Sequence, residues 1–231
     1  MAAKLALRSR EVPVFQRARK PAEKEQRRAV ILRTALRLAR RDGPLALSLN
    51  ELAREAGITK SNVYRYFESR EEILFRIYLL ELDELVGQLE TLFARRTKIA
   101  TVADELARAF LARPLFCQIL GMLASIVEHN ISAAAIVSCK REMVVHLARV
   151  APVFHRALPW LRPEDNFWIA QTIASYVASL WPATHPSPAA TEALCQPDLA
   201  WMKPDAESAL RRFIEVTLTG LHALTPERAR P

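Results

Sequence analysis

The chain has 231 residues, is 51% hydrophobic and carries a net charge of +8, so it is long enough to bury a sizeable core and too apolar to be read as disordered. It contains no run of about 18 uncharged apolar residues and no leader-like start, which leaves out a membrane partner and gives the cytoplasm as the expected location. Cys117, Cys139 and Cys195 lie far apart with no CxxC spacing, which excludes a disulfide framework and a zinc module.

Taken in order, residues 1–23 mix basic residues with Pro13 and Pro21 and read as a basic flexible arm. A helix is expected over 24–41, with Ile31, Ala35 and Leu38 on one face, stopped by Asp42-Gly43-Pro44. Ser48 opens a second helix and forms a reciprocal capping box with Glu51. Leu49, Leu52, Ala53 and Ala56 make that helix's buried face, and Gly57 supplies the turn. Thr59 caps a short third helix whose Val63 and Phe67 point into the core. A second box, Ser69 with Glu72, opens a long fourth helix running to about Leu92.

Further helices are expected at about 99–112, 114–129, 132–158, 163–181 and 205–223, with Pro152 kinking the long 132–158 segment. The stretch from Pro182 to Pro204 also holds Pro186, Pro188 and Pro197 and reads as an irregular connection. With only five glycines and no alternating strand pattern, the fold class is all-α. A three-helix N-terminal domain (24–85) is joined by the long helix to a helical C-terminal domain (86–225).

Charge is divided unevenly along this plan. Residues 1–67 hold 16 Lys/Arg against 6 Asp/Glu, whereas residues 68–231 hold 17 against 19. A basic third on a near-neutral remainder suits a polyanion, although a solvated tail gives the same count. The two short helices decide between these readings. Residues 48–67 form a helix-turn-helix whose second helix exposes Thr59, Lys60, Ser61, Asn62, Tyr64 and Arg65. Lys60 and Arg65 can neutralise phosphates, the Asn62 amide can pair with a base edge, and Tyr64 offers a hydroxyl on a flat apolar body. The helix starts at Ser48, Thr59 and Ser69 also present N–H groups to phosphate. Two core helices joined by a tight turn would explain Gly57 and the caps, but not this outward set of residues.

The segment "LSLNELAREAGITKSNVYRYFESREEILFRIY" (47–78), preceded by "ILRTALRLARRDG", resembles the DNA-binding signature of the tetracycline-repressor (TetR) family. The resemblance implies that Lys60, Tyr64, Tyr66 and Arg70 contact phosphates and that Thr59, Ser61, Asn62 and Arg65 lie near base edges. Ser61 replaces a frequent glycine and Arg70 a frequent lysine, and both still suit DNA. The segments "LARPLFCQILGMLASIVEHNIS" (111–132) and "ASLWPATHPSP" (178–188) are similar to a C-terminal domain found in part of this family. That likeness implies a sensing and dimerising domain, a homodimer on a pseudopalindromic operator in double-stranded DNA, and a small-molecule effector.

The expected function is therefore a transcriptional regulator, by default a repressor released by an apolar effector. An effector-independent architectural DNA-binding protein is the alternative. No Gly-rich phosphate loop and no nucleophile with a histidine and an acid is recognisable, so neither an enzyme nor a cofactor is expected. Cys139, Glu142 and His146 share a face but lack a fourth ligand, and no metal is expected there. His129 and Asn130 read as the end of a helix before the cap Ser132. Aromatic residues gather over 110–181, and Phe116, Leu120, Met122, Leu123, Phe167 and Tyr176, with His129 as a polar orienter, are the expected effector-lining residues. Ala170, Ala174 and Ala178 form a smooth stripe which, with Leu210, Ile214 and Leu221, suits either a four-helix dimer interface or an intrachain contact.

Overall fold

A computed structural model describes residues 21–225, which are helical with no strand among them. Residues 1–20 of the expected basic arm lie outside the described residues. The chain divides into two compact units, with the division between Arg70 and Glu71.

Unit 1 contains three helices. The first, α1 (Pro21–Asp42), starts a few residues before its expected position. Pro21 can open it because an N–H in the first turn has no helical partner to lose. Gly43 ends it with φ 87°, a left-handed conformation that glycine adopts without strain, and donates its N–H to the Ala39 carbonyl at 2.9 Å. Then come α2 (Leu49–Glu55) and the single-turn α3 (Lys60–Val63). Ile31, Ala35, Leu38 and Ala39 of α1 are buried, as are Leu52, Ala53 and Ala56 on the α2 side, where α1 packs on α2, and Val63 and Phe67 are buried with them.

Unit 2 is built on α4 (Arg70–Leu92), followed by α5 (Ile99–Leu111) and α6 (Pro114–Met122). From Glu72 to Leu82 nearly every residue of α4 is buried, so this helix packs on several sides rather than along one stripe. Arg113 pins the α5–α6 elbow to α4, donating to the Gln88 side chain and to the Glu84 carbonyl. After α6 the chain continues as a π-helical turn (Leu123–Val127) and a 3-10 turn (Glu128–Asn130), closed by Asn130 Nδ2 donating to the Ile126 carbonyl at 2.6 Å. Ser132 then caps α7 (Ala133–Ala157), accepting from the Ala135 N–H at 3.2 Å as expected.

The next helix, α8 (Asp165–Thr184), runs through Pro182 instead of stopping before it. Just beyond the proline, the Thr184 hydroxyl lies 3.0 and 3.1 Å from the Leu180 and Trp181 carbonyls, and its one proton can be given to either. The Ala178 carbonyl, which loses its usual helical donor to Pro182, faces Gly121 of α6, where a Cβ would come within 3.1 Å of it. Nor is the region after Pro182 irregular throughout. Ser187 caps a short α9 (Pro188–Ala193), and α10 (Ala206–Leu224) begins at Asp205, whose carboxylate accepts from the Ser208 N–H at 2.8 Å. Hydrogen bonding from the Ser208 side chain, and then from its N–H, holds the Asp205 carboxyl below its ordinary range. Within unit 2, α10 packs on α5 and α8, and α6 packs on α8.

Candidate functional site

In unit 1 the exposed edge of the helix-turn-helix is set by the buried residues behind it. Gly57 adopts φ 66°, reversing the chain after α2. Thr59 Oγ1 accepts from the Asn62 N–H at 3.3 Å and lies 2.9 Å from the Ser61 hydroxyl, so these three residues form one hydrogen-bonded corner. With Val63 and Phe67 buried, helical spacing turns the neighbouring residues outward. Thr59, Lys60, Ser61, Tyr64 and Arg65 are exposed, and Asn62, Tyr66 and Arg70 are half-buried. The segment from Gly57 to Phe67 contains two cations and no carboxylate.

The Ser48–Glu51 capping box is not formed on the Ser48 side. Ser48 has the extended backbone of an N-cap, but its hydroxyl makes no capping bond. The Glu51 carboxylate instead meets Arg41 at 2.8 Å and Arg54 at 3.6 Å. A charge-assisted pair with a guanidinium outcompetes a neutral backbone donor. Arg37 with Glu55 at 2.9 Å makes a second link between α1 and α2, and it holds the Glu55 carboxyl low. Arg70, implied by resemblance to contact phosphate, donates to the Leu45 carbonyl at 3.3 Å and so braces the turn after α1. The sequence reading passed over Arg28. Its guanidinium lies 4.8 Å from the centre of the Phe67 ring, adding a cation–π contact behind the recognition helix.

In unit 2 a narrow apolar cavity of about 60 Å³ lies inside the helices. One wall is α4, through Tyr78, Leu82, Leu85, Val86 and Leu89. Leu147, Val150 and Phe154 of α7 face it. Leu106, Phe110 and Phe116 close one side, and Ala170, Ile173 and Ala174 of α8 the other. The rings of Tyr78 and Phe116 stack at 5.1 Å. Burial and the nearby Glu128 push the Tyr78 hydroxyl up to about 12, so it is neutral at ordinary pH and able to donate.

Of the expected effector-lining residues, the cavity collects Phe116 alone. Met122 and Leu123 are buried elsewhere, Leu120 is half-buried and His129 is exposed. Phe167 is 65% exposed, and Tyr176 stacks on Phe213 of α10 at 3.9 Å on the outside of the unit. The α4 and α7 walls escaped the sequence reading. Tyr78, Leu82, Leu85, Val86 and Leu89 share one helical face, but on a helix buried on nearly all sides from Glu72 to Leu82, charged residues included, no single face stands out. Among Cys139, Glu142 and His146, Glu142 pairs with Arg76, His146 Nδ1 lies 3.3 Å from Asp83, and Cys139 is buried.

The alanine stripe faces inward. Ala170 and Ala174 line the cavity, and Ala178 meets α6 at Gly121. Leu210 and Ile214 are fully buried, so they serve the intrachain core rather than a dimer interface. The outer face of α8 and α10 carries two open grooves, of about 510 and 550 Å³, on either side of the Tyr176–Phe213 stack. Trp168, Ser175 and Ser179 line the first groove, and Arg212 and Val216 the second.

No single helix among the described residues is long and apolar enough to cross a membrane. Residues 31–77 match the family described as bacterial regulatory proteins, tetR family, and residues 79–225 match the tetracyclin repressor-like C-terminal domain. A TetR transcriptional regulator from Rhodococcus sp. RHA1 is 18% identical, with a TM-score of 0.51 over 86% of this chain and 98% of its own. The fatty acid degradation regulator FadR from Bacillus halodurans is 12% identical, with a TM-score of 0.49 over 81% and 97% of the two chains. The TetR family regulator PfmR from Thermus thermophilus is 20% identical, with a TM-score of 0.43 over 80% and 95%. Among curated proteins, none matches this chain in sequence. With family matches covering both units and a helix-turn-helix in the first, the chain belongs to the TetR family of DNA-binding transcriptional regulators.

Proposed function

We propose that the protein is a cytoplasmic homodimeric repressor that binds a pseudopalindromic operator through unit 1 and is released when unit 2 takes up a small apolar effector. In this reading the region matched as the tetR regulatory domain, residues 31–77, takes DNA, and the C-terminal region, residues 79–225, takes the effector and forms the dimer. In unit 1, Lys60, Tyr64, Tyr66 and Arg70 are assigned to phosphates, and Thr59, Ser61, Asn62 and Arg65 to base edges. Ser48, exposed at the start of α2 with no capping bond, is a further phosphate donor.

The observation that carries the effector reading is the internal cavity, whose walls hold no charged side chain. A ligand entering it must be uncharged, because a charge there would find no partner. The dimer is assigned to the outer face of α8 and α10. Trp168 and Val216 are 49% and 63% exposed there beside the Tyr176–Phe213 stack, and aromatic side chains are typical of interface centres. In a dimer the recognition helices enter successive major grooves, roughly 34–36 Å apart, and an effector that favours another spacing releases the DNA. A differential affinity of about 2.7 kcal/mol between the two states changes that equilibrium a hundredfold.

The test is footprinting of bound sites across the source genome, followed by operator titration with hydrophobic compounds. The expected footprints are pseudopalindromes protected by a dimer and lost on adding a compound that raises the protein's melting temperature. Compounds that stabilise the protein without releasing the operator would remove the induction mechanism, and asymmetric single-site footprints would remove the dimer.

A further inference from the structure

Between α8 and α10 the chain makes an excursion that buries nothing. From Pro182 to Ala209 no residue is buried, although the stretch includes α9 and a 3-10 turn at Ala200–Met202. Its order is local: the Ser187 hydroxyl accepts from the Ala190 N–H, and the backbone bonds from Thr191 to Lys203 reach no further than four residues. Fixing a backbone costs conformational entropy at every residue, and burial within the chain offsets little of it here. Toward the end of the excursion Trp201 is 81% exposed and Met202 53%. Trp and Met are the side chains enriched in the covered centres of protein interfaces.

What covers them follows from where the excursion starts and ends. It leaves α8 and re-enters α10, the two helices whose outer face is assigned above to the dimer, and its last residues, Pro204 and Asp205, line the groove beside Phe213. A second copy docked on that face about a two-fold axis lies beside the root of this segment, and whatever one protomer offers, its partner returns. The groove suits an indole. Tyr176 and Phe213 give it an aromatic wall. Arg212 also lines it, exposed and with no ion pair among the described residues, and a guanidinium favours the face of a Trp ring. Thr217 Oγ1 gives its own proton to the Phe213 carbonyl at 2.8 Å and is able to accept from the indole N–H. The segment's charge disfavours nucleic acid as the occupant and complements Arg212, because residues 186–204 carry Glu192 and Asp198 against Lys203 alone.

We propose that residues 186–204 form a dimer arm, in which Trp201 of one protomer seats in the α10 groove of the other, against the Tyr176–Phe213 stack and beside Arg212, with the same contact repeated by symmetry. This deepens the dimer proposed above and rests on it. Two such anchors, one on each side of the axis, hold the protomers against rotation.

Sedimentation of the full chain over a dilution series gives the dimer dissociation constant. Acrylamide quenching at the same concentrations reports on Trp201, taken as the difference between wild type and Trp201→Phe. Trp201→Ala should raise the dissociation constant at least about thirtyfold, the threshold of an interface hot spot, with an unchanged far-ultraviolet spectrum, since the side chain is exposed in the single chain. Arg212→Ala should raise it about fivefold, as for loss of a cation–π contact. In wild type the Trp201 signal should be shielded in the dimer and become quenchable on dilution to monomer. If Trp201→Ala dimerises as tightly as wild type, or if the indole stays quenchable in dimers, the proposal is overturned while the helix-face dimer stands. Shielding that persists in the monomer also overturns it, because the arm is then covered by its own chain. A wild type that is monomeric at every concentration removes the dimer itself, and the arm with it.

Discussion

Unit 1 works through its outside and unit 2 through its inside. In unit 1 the buried residues, from Ile31 to Phe67, act only to hold Thr59, Lys60, Asn62, Tyr64 and Arg65 outward on a fixed corner. In unit 2 the aromatic and aliphatic residues that would be expected to fill the centre leave a cavity, and one covering helix, α7, is half bare. A surface that reads a rigid polymer benefits from rigidity behind it, and an interior that admits a small molecule needs incomplete packing. The same all-helical materials give both, and the difference lies in how completely each core is filled.

The largest expected effect comes from removing the keystone of unit 1. Phe67→Ala should cost about 3–5 kcal/mol, in the range for large aromatic truncations, and should abolish operator binding. Unit 2, which begins at Glu71, should keep its own melting transition. A single merged transition that shifts as a whole would break the comparison. Next in size is the dimer. Val216→Glu, at a site 63% exposed in the single chain, should give monomers by sedimentation and weaken operator binding on the order of a hundredfold through lost bivalency, with little change in the chain's own fold. Ala174→Glu would be the wrong probe, since Ala174 faces the cavity and a charge there would damage the fold itself.

A smaller and more discriminating effect separates roles within unit 1. Lys60→Ala should weaken operator and random DNA alike and lower the salt slope by about one unit per lost phosphate contact per subunit. Asn62→Ala should leave the salt slope unchanged and relax preference at one base pair, by about 1–3 kcal/mol. Identical sequence profiles and slopes would end that division of labour. Smaller again, Ala170→Val partly fills the cavity and should raise the stability of unit 2 by about 0.5–1 kcal/mol. Destabilisation would mean that the cavity is better packed than its outline implies. The smallest effect concerns thiols. Cys195 is exposed, whereas Cys139 is buried and Cys117 is buried, pushed up to about 12, and donates to the Phe110 carbonyl at 3.2 Å. A disulfide reagent should therefore label one thiol per native chain and three after denaturation.

How much of this was legible beforehand depended on the range of the interaction concerned. Helix α1, the turn at Gly57, the Thr59 and Ser132 caps and the outward set from Lys60 to Arg65 follow from residues three or four apart, and the sequence carries those relations openly. The Glu51 box was lost to Arg41, ten residues away, a competitor no local pattern reveals. Helix α8 passes Pro182 with the carbonyl that loses its donor, Ala178, turned toward Gly121 of α6, a neighbour that no local pattern reveals. Which face of α8 turns inward was the hardest to read. Its alanines and its aromatics both suit an interface, and the choice was made by α6, which approaches closely only against the small side. With the alanines inside, Phe167 and Trp168 were left on the surface.

The cavity also gives unit 2 a mechanical character. Space that disappears on unfolding makes the unfolded chain the smaller occupant of the solution, so hydrostatic pressure pushes toward it in proportion to the void removed. Compression should soften the α4–α7 side of this molecule first, where packing is incomplete. A molecule that fills the cavity would take away the volume that pressure acts on, and the ligand-bound protein would resist compression better than its affinity alone would suggest.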